Sequence, residues 1–239
     1  MVFTDLDDSL FHSHRRLKEL DLTAESLPVA SVKTDGSAVC FQTPQQGMFF
    51  ELLANASLVI PVTGRSSESL ARVLQPTFES YRVVSHGAVI RCPSGEVMSG
   101  WRELIDAERL RWADRLKSMY RELCHLREAT EVECSDPGER LRVQLVSDEE
   151  VLVYVSVKGP EERLAQLRRR LQDRWSGGRI HHNRRDLALL PSYASKSRAV
   201  AYLIERLSEE YQMPLLTVGL GDSLSDLSFL KLCDFAITP

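Results

Sequence analysis

No run of about 18 consecutive apolar residues occurs in this chain, so no membrane-spanning helix is expected. The opening residues lack the basic stretch and long apolar stretch that mark a secretory signal. The cysteines (Cys40, Cys92, Cys124, Cys134 and Cys233) number five, are scattered, and never form a C-x-x-C pair. That pattern argues against a disulfide framework and against a zinc site, and a reducing cytoplasmic location is expected. Neither sign of charge dominates: 30 Lys and Arg against 34 Asp and Glu give a net charge of −4. Such a chain has no overall field to draw nucleic acid or an anionic membrane surface, so neither is expected as a partner. Any anion site must be local. Internal repeats and low-complexity tracts are absent as well.

What remains is an ordinary globular composition, 43% hydrophobic and 27% charged over 239 residues, enough for one large domain or two small ones. Short apolar runs at Met1–Thr4, Leu58–Thr63, Tyr81–Ser85 and Leu215–Gly219 suit strands buried on both faces of a parallel sheet. Helical patterns lie between them. Thr43-Pro44-Gln45-Gln46 predicts a helix start, with Thr as N-cap, Pro at the first position and Gln at the third. Val200, Leu203, Ile204, Leu207 and Tyr211 form one apolar stripe at helical spacing. Asp35-Gly36, between two β-type runs, predicts a hairpin and hence a small flap before the first long helix.

The middle third differs. A long helix is predicted from Trp101 to about Arg127, with Trp112, Leu116, Met119, Tyr120 and Leu123 on one face. Alternating segments follow at Arg140–Val146 and Val151–Val157. A second helix from Pro160 carries Leu164, Leu167, Leu171 and Trp175 and is ended by Gly177-Gly178. Strands at Arg179–His182 and Asp186–Leu190 complete an α+β unit with an antiparallel sheet. The reading is an α/β parallel-sheet core over 1–89 and 189–239, interrupted by an α+β insert over 90–188.

Four stretches carry chemistry-bearing residues just past a core strand or at a helix start. Ligands of open α/β sheets bind at the carboxyl ends of the strands. Asp5-Leu6-Asp7-Asp8-Ser9 places like charges side by side. Two roles fit: a capped acidic turn with Asp8 or Ser9 as N-cap, or a pair neutralised by a hard cation such as Mg²⁺. Thr63-Gly64-Arg65 offers a hydroxyl and backbone N–H groups to an anion, or is a plain strand-to-helix turn. Lys196 starts the Val200 helix, where a lysine is unfavourable unless anions surround it. Gly221-Asp222-Ser223-Leu224-Ser225-Asp226 sets two carboxylates one turn apart after the last core strand, as acidic capping or as a second half of the first cluster.

In order, these stretches resemble the four motifs of the haloacid dehalogenase (HAD) superfamily: D-x-D-x-[TS], a Ser or Thr after the second strand, a Lys, and G-D-x-x-x-D. They match here as Asp5/Asp7/Ser9, Thr63, Lys196 and Asp222/Asp226, spanning the whole chain. The Thr-Gly-Arg form and the stretch Ser85-His86-Gly87-Ala88 look like the Cof-type and sucrose-phosphatase-like branch, with His86 in place of that branch's Asn. The resemblance implies a three-layer Rossmann-like core with an inserted cap of type C2, and a Mg²⁺-dependent phosphatase acting on a small phosphorylated metabolite. It assigns Asp5 as nucleophile, Asp7 as acid/base, and Lys196 as the charge that neutralises Asp5 and phosphate. Thr63, Gly64 and Arg65 would bind phosphate. Mg²⁺ would be held by Asp5, the Asp7 carbonyl and Asp222, with Asp226 ordering the surrounding shell. In the cap, His182 and Arg184 are candidate substrate contacts. Two positions depart from the pattern: Asp8 stands where Gly is common, and Ser225 where Asn is common. A phosphomutase-like transferase, or a module that binds phosphometabolites without turnover, are the other functions the pattern admits. The oligomeric state is not encoded in any of these features.

Overall fold

Val2–Thr4 lies at the centre of a parallel sheet whose strands run in the order Phe235–Ile237, Val218–Leu220, Val2–Thr4, Val59–Pro61. In this computed structural model, which describes residues 1–131 and 140–239, all residues of Val2–Thr4 and Val59–Pro61 are buried. Cys134 lies outside the described residues. Apolar runs without alternation are what a strand covered on both faces requires. The sheet stays paired at its carboxyl edge: the Asp5 N–H donates to the Leu220 carbonyl (2.8 Å) and the Val62 N–H to the Thr4 carbonyl (2.7 Å). Asp5, Thr63 and Asp222 therefore leave the sheet from three neighbouring strand ends.

Two strands differ from expectation. Arg82–Val84 does not join the parallel sheet as a regular strand. It pairs antiparallel with Val89–Arg91 and meets the chain just past Val59–Pro61 through an isolated parallel bridge between Val62 and Val83. The cause is local: Ser85, His86 and Gly87 have φ of 52°, 57° and 92°, and this left-handed run folds the chain back on itself. Conversely, Phe235–Ile237 adds an unexpected edge strand, exposed along its length.

The flap is present as a three-stranded antiparallel sheet in the order His12–Ser13, Ala38–Phe41, Val29–Val32. At its hairpin the Asp35 carboxylate accepts the Ser37 N–H (2.8 Å), and Gly36 has φ of 80°. The helix Pro44–Ala56 follows, with the Thr43–Gln46 capping box fully formed. The helix Lys196–Tyr211 buries Val200, Leu203 and Leu207. Tyr211, at the end of the predicted stripe, is 55% exposed because it lies on the last turn.

The chain divides into two compact units, Met1–Arg102 with Ser195–Pro239, and Glu103–Ala194. Both crossings fall later than the sequence suggested; at the first, Val89–Arg91 is paired within the first unit. The helix Ser99–Glu131 runs into the second unit and buries Trp112, Leu116, Met119 and Leu123, with Tyr120 half-buried. The second unit's antiparallel sheet has the order Arg179–Asn183, Asp186–Leu190, Val151–Lys158, Arg142–Asp148. Val151, Val153, Val155 and Val157 are all buried, the period-two pattern of one strand face.

The helix Glu161–Leu171 stops before Gly177-Gly178 and does not include Trp175. Trp175 is nonetheless buried in the following turn, its indole N–H bonded to the Leu190 carbonyl (3.0 Å) and its ring 5.1 Å from that of Trp112. Among the described residues no helix is long and apolar enough to cross a membrane.

Candidate active site

Asp5 is the first residue past the central strand and is 7% exposed. Lys196, the first residue of its helix, is 5% exposed and reaches back with Nζ 2.6 Å from Asp5 Oδ1 and 2.7 Å from Asp226 Oδ1. The helix start is held close by Gly87: a Cβ there would lie 2.3 Å from the Ser195 carbonyl oxygen and 2.8 Å from the Lys196 nitrogen. A lysine at a helix start is thus turned inward onto carboxylates, which removes its conflict with the helix dipole. Asp226 is fully buried. Its second oxygen accepts the Ser223 N–H (3.1 Å) and hydroxyl (2.6 Å), and Ser225 is hydrogen-bonded to the same Ser223 hydroxyl (2.7 Å). The serine standing where Asn is common therefore belongs to the network that fixes Asp226.

Asp5, Asp222 and Asp226 can present carboxylate oxygens within 4.8 Å of one another. Burial, together with the charges of Asp226 and Asp7, pushes Asp5 up to about 7 against the opposing pull of Lys196. Asp222 is also raised, by burial first and then by Asp226 and Asp8. Burial alone would lower Lys196, but Asp5 and Asp226 outweigh it and hold the ammonium above its usual range. Three carboxylates facing one ammonium leave an excess of negative charge in a low-dielectric place. A donor set of carboxylate oxygens with that excess suits a hard divalent cation.

Asp7 is placed differently. Its carboxylate is gripped by the Arg65 guanidinium, Nε to Oδ2 at 2.8 Å and Nη2 to Oδ1 at 2.6 Å, and its side chain is 46% exposed against 13% for Arg65. Arg65 Nη2 also lies 3.4 Å from Ser31 Oγ and 3.4 Å from Cys40 Sγ, and Phe11 covers the guanidinium at 5.2 Å. Burial opposes the charge on Arg65, and the bonds to Asp7 more than restore it. Burial and Asp7 push the Cys40 thiol up to about 11. The Asp7 carboxylate is not part of the cluster of Asp5, Asp222 and Asp226.

Thr63 is buried. Its hydroxyl oxygen accepts the Arg65 N–H (3.1 Å), which leaves the hydroxyl proton available to an incoming anion. The His86 ring packs on Gly64, where a Cβ would come within 2.6 Å of Cε1, so only glycine fits. Asp8 occupies the glycine position with φ of 62°. It caps no helix; Ser13 is the N-cap of His14–Glu19, and Asp8 Oδ1 accepts the Ser13 N–H (3.1 Å) while Oδ2 meets Arg15 (3.3 Å). Partial burial would raise Asp8, but hydrogen bonds from His12 and Ser13 and the charge of Arg15 hold it low. Asp tolerates the left-handed backbone better than most residues, and here its side chain ties down the segment that enters the flap.

The cap candidates lie in the second unit. His181 and His182 belong to the strand Arg179–Asn183. Arg184 sits in the hairpin turn with φ of 47°, its carbonyl 3.0 Å from His182 Nε2. Sequence reasoning missed Ser31, Cys40 and Ser223. Ser223 had a signal, a serine three residues before an aspartate at a helix start; the two flap residues had none.

An α/β core with these carboxylates and a lysine at the carboxyl edge of its parallel sheet, carrying an inserted α+β unit, defines a member of the HAD superfamily. The family model described as sucrose-6F-phosphate phosphohydrolase matches residues 27–236, and the chain belongs to that family. Sucrose-phosphatase 1 of Nicotiana tabacum is 33% identical over 85 residues, covering 35% of this chain and 20% of that protein. Thus the aligned stretch spans only a fifth of the tobacco protein's length. Among solved structures, the C-terminal domain of trehalose-6-phosphate phosphatase from C. albicans aligns with a TM-score of 0.60 at 13% identity, over 96% of this chain and 72% of that one. The sucrose-phosphatase of Synechocystis, solved with sucrose and phosphate, aligns with a TM-score of 0.50 at 17% identity, over 99% of this chain and 81% of that one. At these identities the structural matches speak for the fold.

Proposed function

We propose that this protein is a Mg²⁺-dependent phosphatase that hydrolyses a small sugar phosphate, with sucrose-6F-phosphate the first candidate from its family. The observation that carries the reading is the buried Asp5, bonded to Lys196 and flanked by Asp222 and Asp226 at the strand ends. Asp5 and Asp222, with the Asp7 main-chain carbonyl, would hold the cation. Both oxygens of Asp226 already accept bonds, from Lys196 and Ser223, so its part is to order the shell. The cation, when bound, supplies neutralisation of phosphoryl and carboxylate charge.

The remaining chemistry belongs to the chain. An Asp5 carboxylate oxygen forms a bond to phosphorus while the bond from phosphorus to the sugar oxygen breaks. Asp7 is the acid that delivers a proton to that departing oxygen. Water then attacks phosphorus, Asp7 takes the water proton, and the bond to Asp5 breaks to release phosphate and restore the carboxylate. Lys196 holds Asp5 in place and balances charge, while the Thr63 hydroxyl and Gly64 N–H donate to phosphoryl oxygens.

The test is phosphate release from sucrose-6F-phosphate, trehalose-6-phosphate and p-nitrophenyl phosphate with Mg²⁺ present. Turnover of at least one sugar phosphate that vanishes with a chelator and in Asp5→Asn is the expected result. No release from any of them sinks the reading.

A further inference from the structure

Resting on the phosphatase reading, we infer that Arg65 is a positioning residue for Asp7, aiming the carboxylate that handles the leaving-group proton, and is not a phosphate ligand. The sequence order Thr63-Gly64-Arg65 suggested a third phosphate contact, but the guanidinium is already engaged. Its Nε and Nη2 grip both Asp7 oxygens, Nη2 reaches Ser31 and Cys40, and its face lies against Phe11. A planar fork bound to a planar carboxylate fixes the position and the plane of that carboxylate, which a single charge does not do. Asp7 keeps an open edge, its side chain being 46% exposed while that of Arg65 is 13% exposed.

The support for this grip comes from two directions. From below, the Arg65 N–H is bonded to Thr63 Oγ1 and the Arg65 carbonyl accepts the Ser85 N–H (2.7 Å), so its backbone is tied to the phosphate loop at Thr63 and to the neighbouring Ser85–Gly87 turn. From the flap, Ser31 in Val29–Val32 and Cys40 in Ala38–Phe41 meet the guanidinium, one from each hairpin strand. Asp7 is thereby referenced to the same loop that holds phosphate. An acid that must meet the leaving oxygen needs that common reference, because a displacement of about 1 Å costs on the order of 10²-fold in rate.

The distinguishing test compares two esters by kcat/KM, which covers steps up to leaving-group departure. A sugar oxygen leaves poorly without a proton, whereas p-nitrophenolate leaves unaided. For Arg65→Ala, kcat/KM on sucrose-6F-phosphate should fall at least tenfold more than on p-nitrophenyl phosphate. Arg65→Lys should not restore the sugar ester, since lysine brings the charge without the fork. Ser31→Ala should show the same pattern at smaller size. Equal losses on both esters, largely recovered by Arg65→Lys, would mean that Arg65 contacts phosphate and would overturn the assignment. Failure of the unaltered protein to turn over either ester counts against the phosphatase reading alone. The grip is then judged by thermal unfolding of Arg65→Ala, Asp7→Asn and the double variant: strongly non-additive midpoint shifts support it, and additive shifts overturn it.

Discussion

Asp5 and Asp7 stand two residues apart on one short loop and live in opposite surroundings. Asp5 is buried beside a lysine and two further carboxylates, and its affinity for a proton is raised. Asp7 is half exposed and clamped by an arginine, outside that cluster. Residue type is the same at both positions and only the environment differs; on the proposed mechanism that difference would give one sequence segment two roles, Asp5 as nucleophile and Asp7 as acid/base partner. Each carboxylate has its own cation, Lys196 for one and Arg65 for the other, and the two cations differ in kind. The lysine offers a compact charge that can serve two carboxylates at once, as it does for Asp5 and Asp226. The arginine offers a fork that orients one.

The largest effects break the comparison at its buried end. Asp5→Asn should lower kcat/KM by about 10³-fold or more on every ester, whatever its leaving group. Asp7→Asn should lower it by about 10²- to 10⁴-fold on sugar phosphates and far less on p-nitrophenyl phosphate. Parallel losses for the two variants on both esters would erase the distinction. In the metal-free protein Lys196→Met should cost about 3–5 kcal/mol of stability in denaturant unfolding, because buried Asp5 and Asp226 then face each other uncompensated.

Mg²⁺ at 100 times its dissociation constant should stabilise the protein by about 2.7 kcal/mol. Asp222→Ala should remove most of that gain and Asp7→Asn little of it, as seen by thermal shift. Acidity sharpens the contrast further. The folded Asp5 holds its proton up to about 7, whereas the unfolded chain releases it near 3.8. Its contribution to stability is therefore full below the unfolded value and is lost as pH rises through about 7. Metal-free protein should lose stability across that window, and Asp5→Asn should flatten the slope. The smallest effect is at Asp8: Gly in its place should change stability by no more than about 1 kcal/mol, relief of the left-handed backbone offsetting the lost bonds to Ser13.

The elements that were legible beforehand are those set by local chemistry. Thr43 to Gln46 read as a capping box because both partners lie within one turn, and Asp35-Gly36 read as a hairpin because the turn demands those residues. The buried sheet showed itself through unbroken apolar runs. The meeting of Asp5, Lys196, Asp222 and Asp226 was legible only through motif order, since these residues are far apart in the chain. What escaped is set by tertiary contact. Trp175 continued the leucine spacing, yet an indole bond to Leu190 holds it beyond the helix end. Phe235–Ile237 is three residues at an exposed edge, too short to show a period. The Arg65–Asp7 pair spans 58 positions and depends on flap residues whose side chains give no sequence signal.

The most direct test of the central claim is to incubate the protein with Mg²⁺ and a sugar phosphate it turns over, quench with acid, reduce with borohydride, and map the product by mass spectrometry. A phosphorylated aspartate becomes homoserine under that treatment, and the account predicts the conversion at Asp5 and at no other residue. Rapid turnover with an unmodified Asp5, or with the mark on another carboxylate, would contradict it.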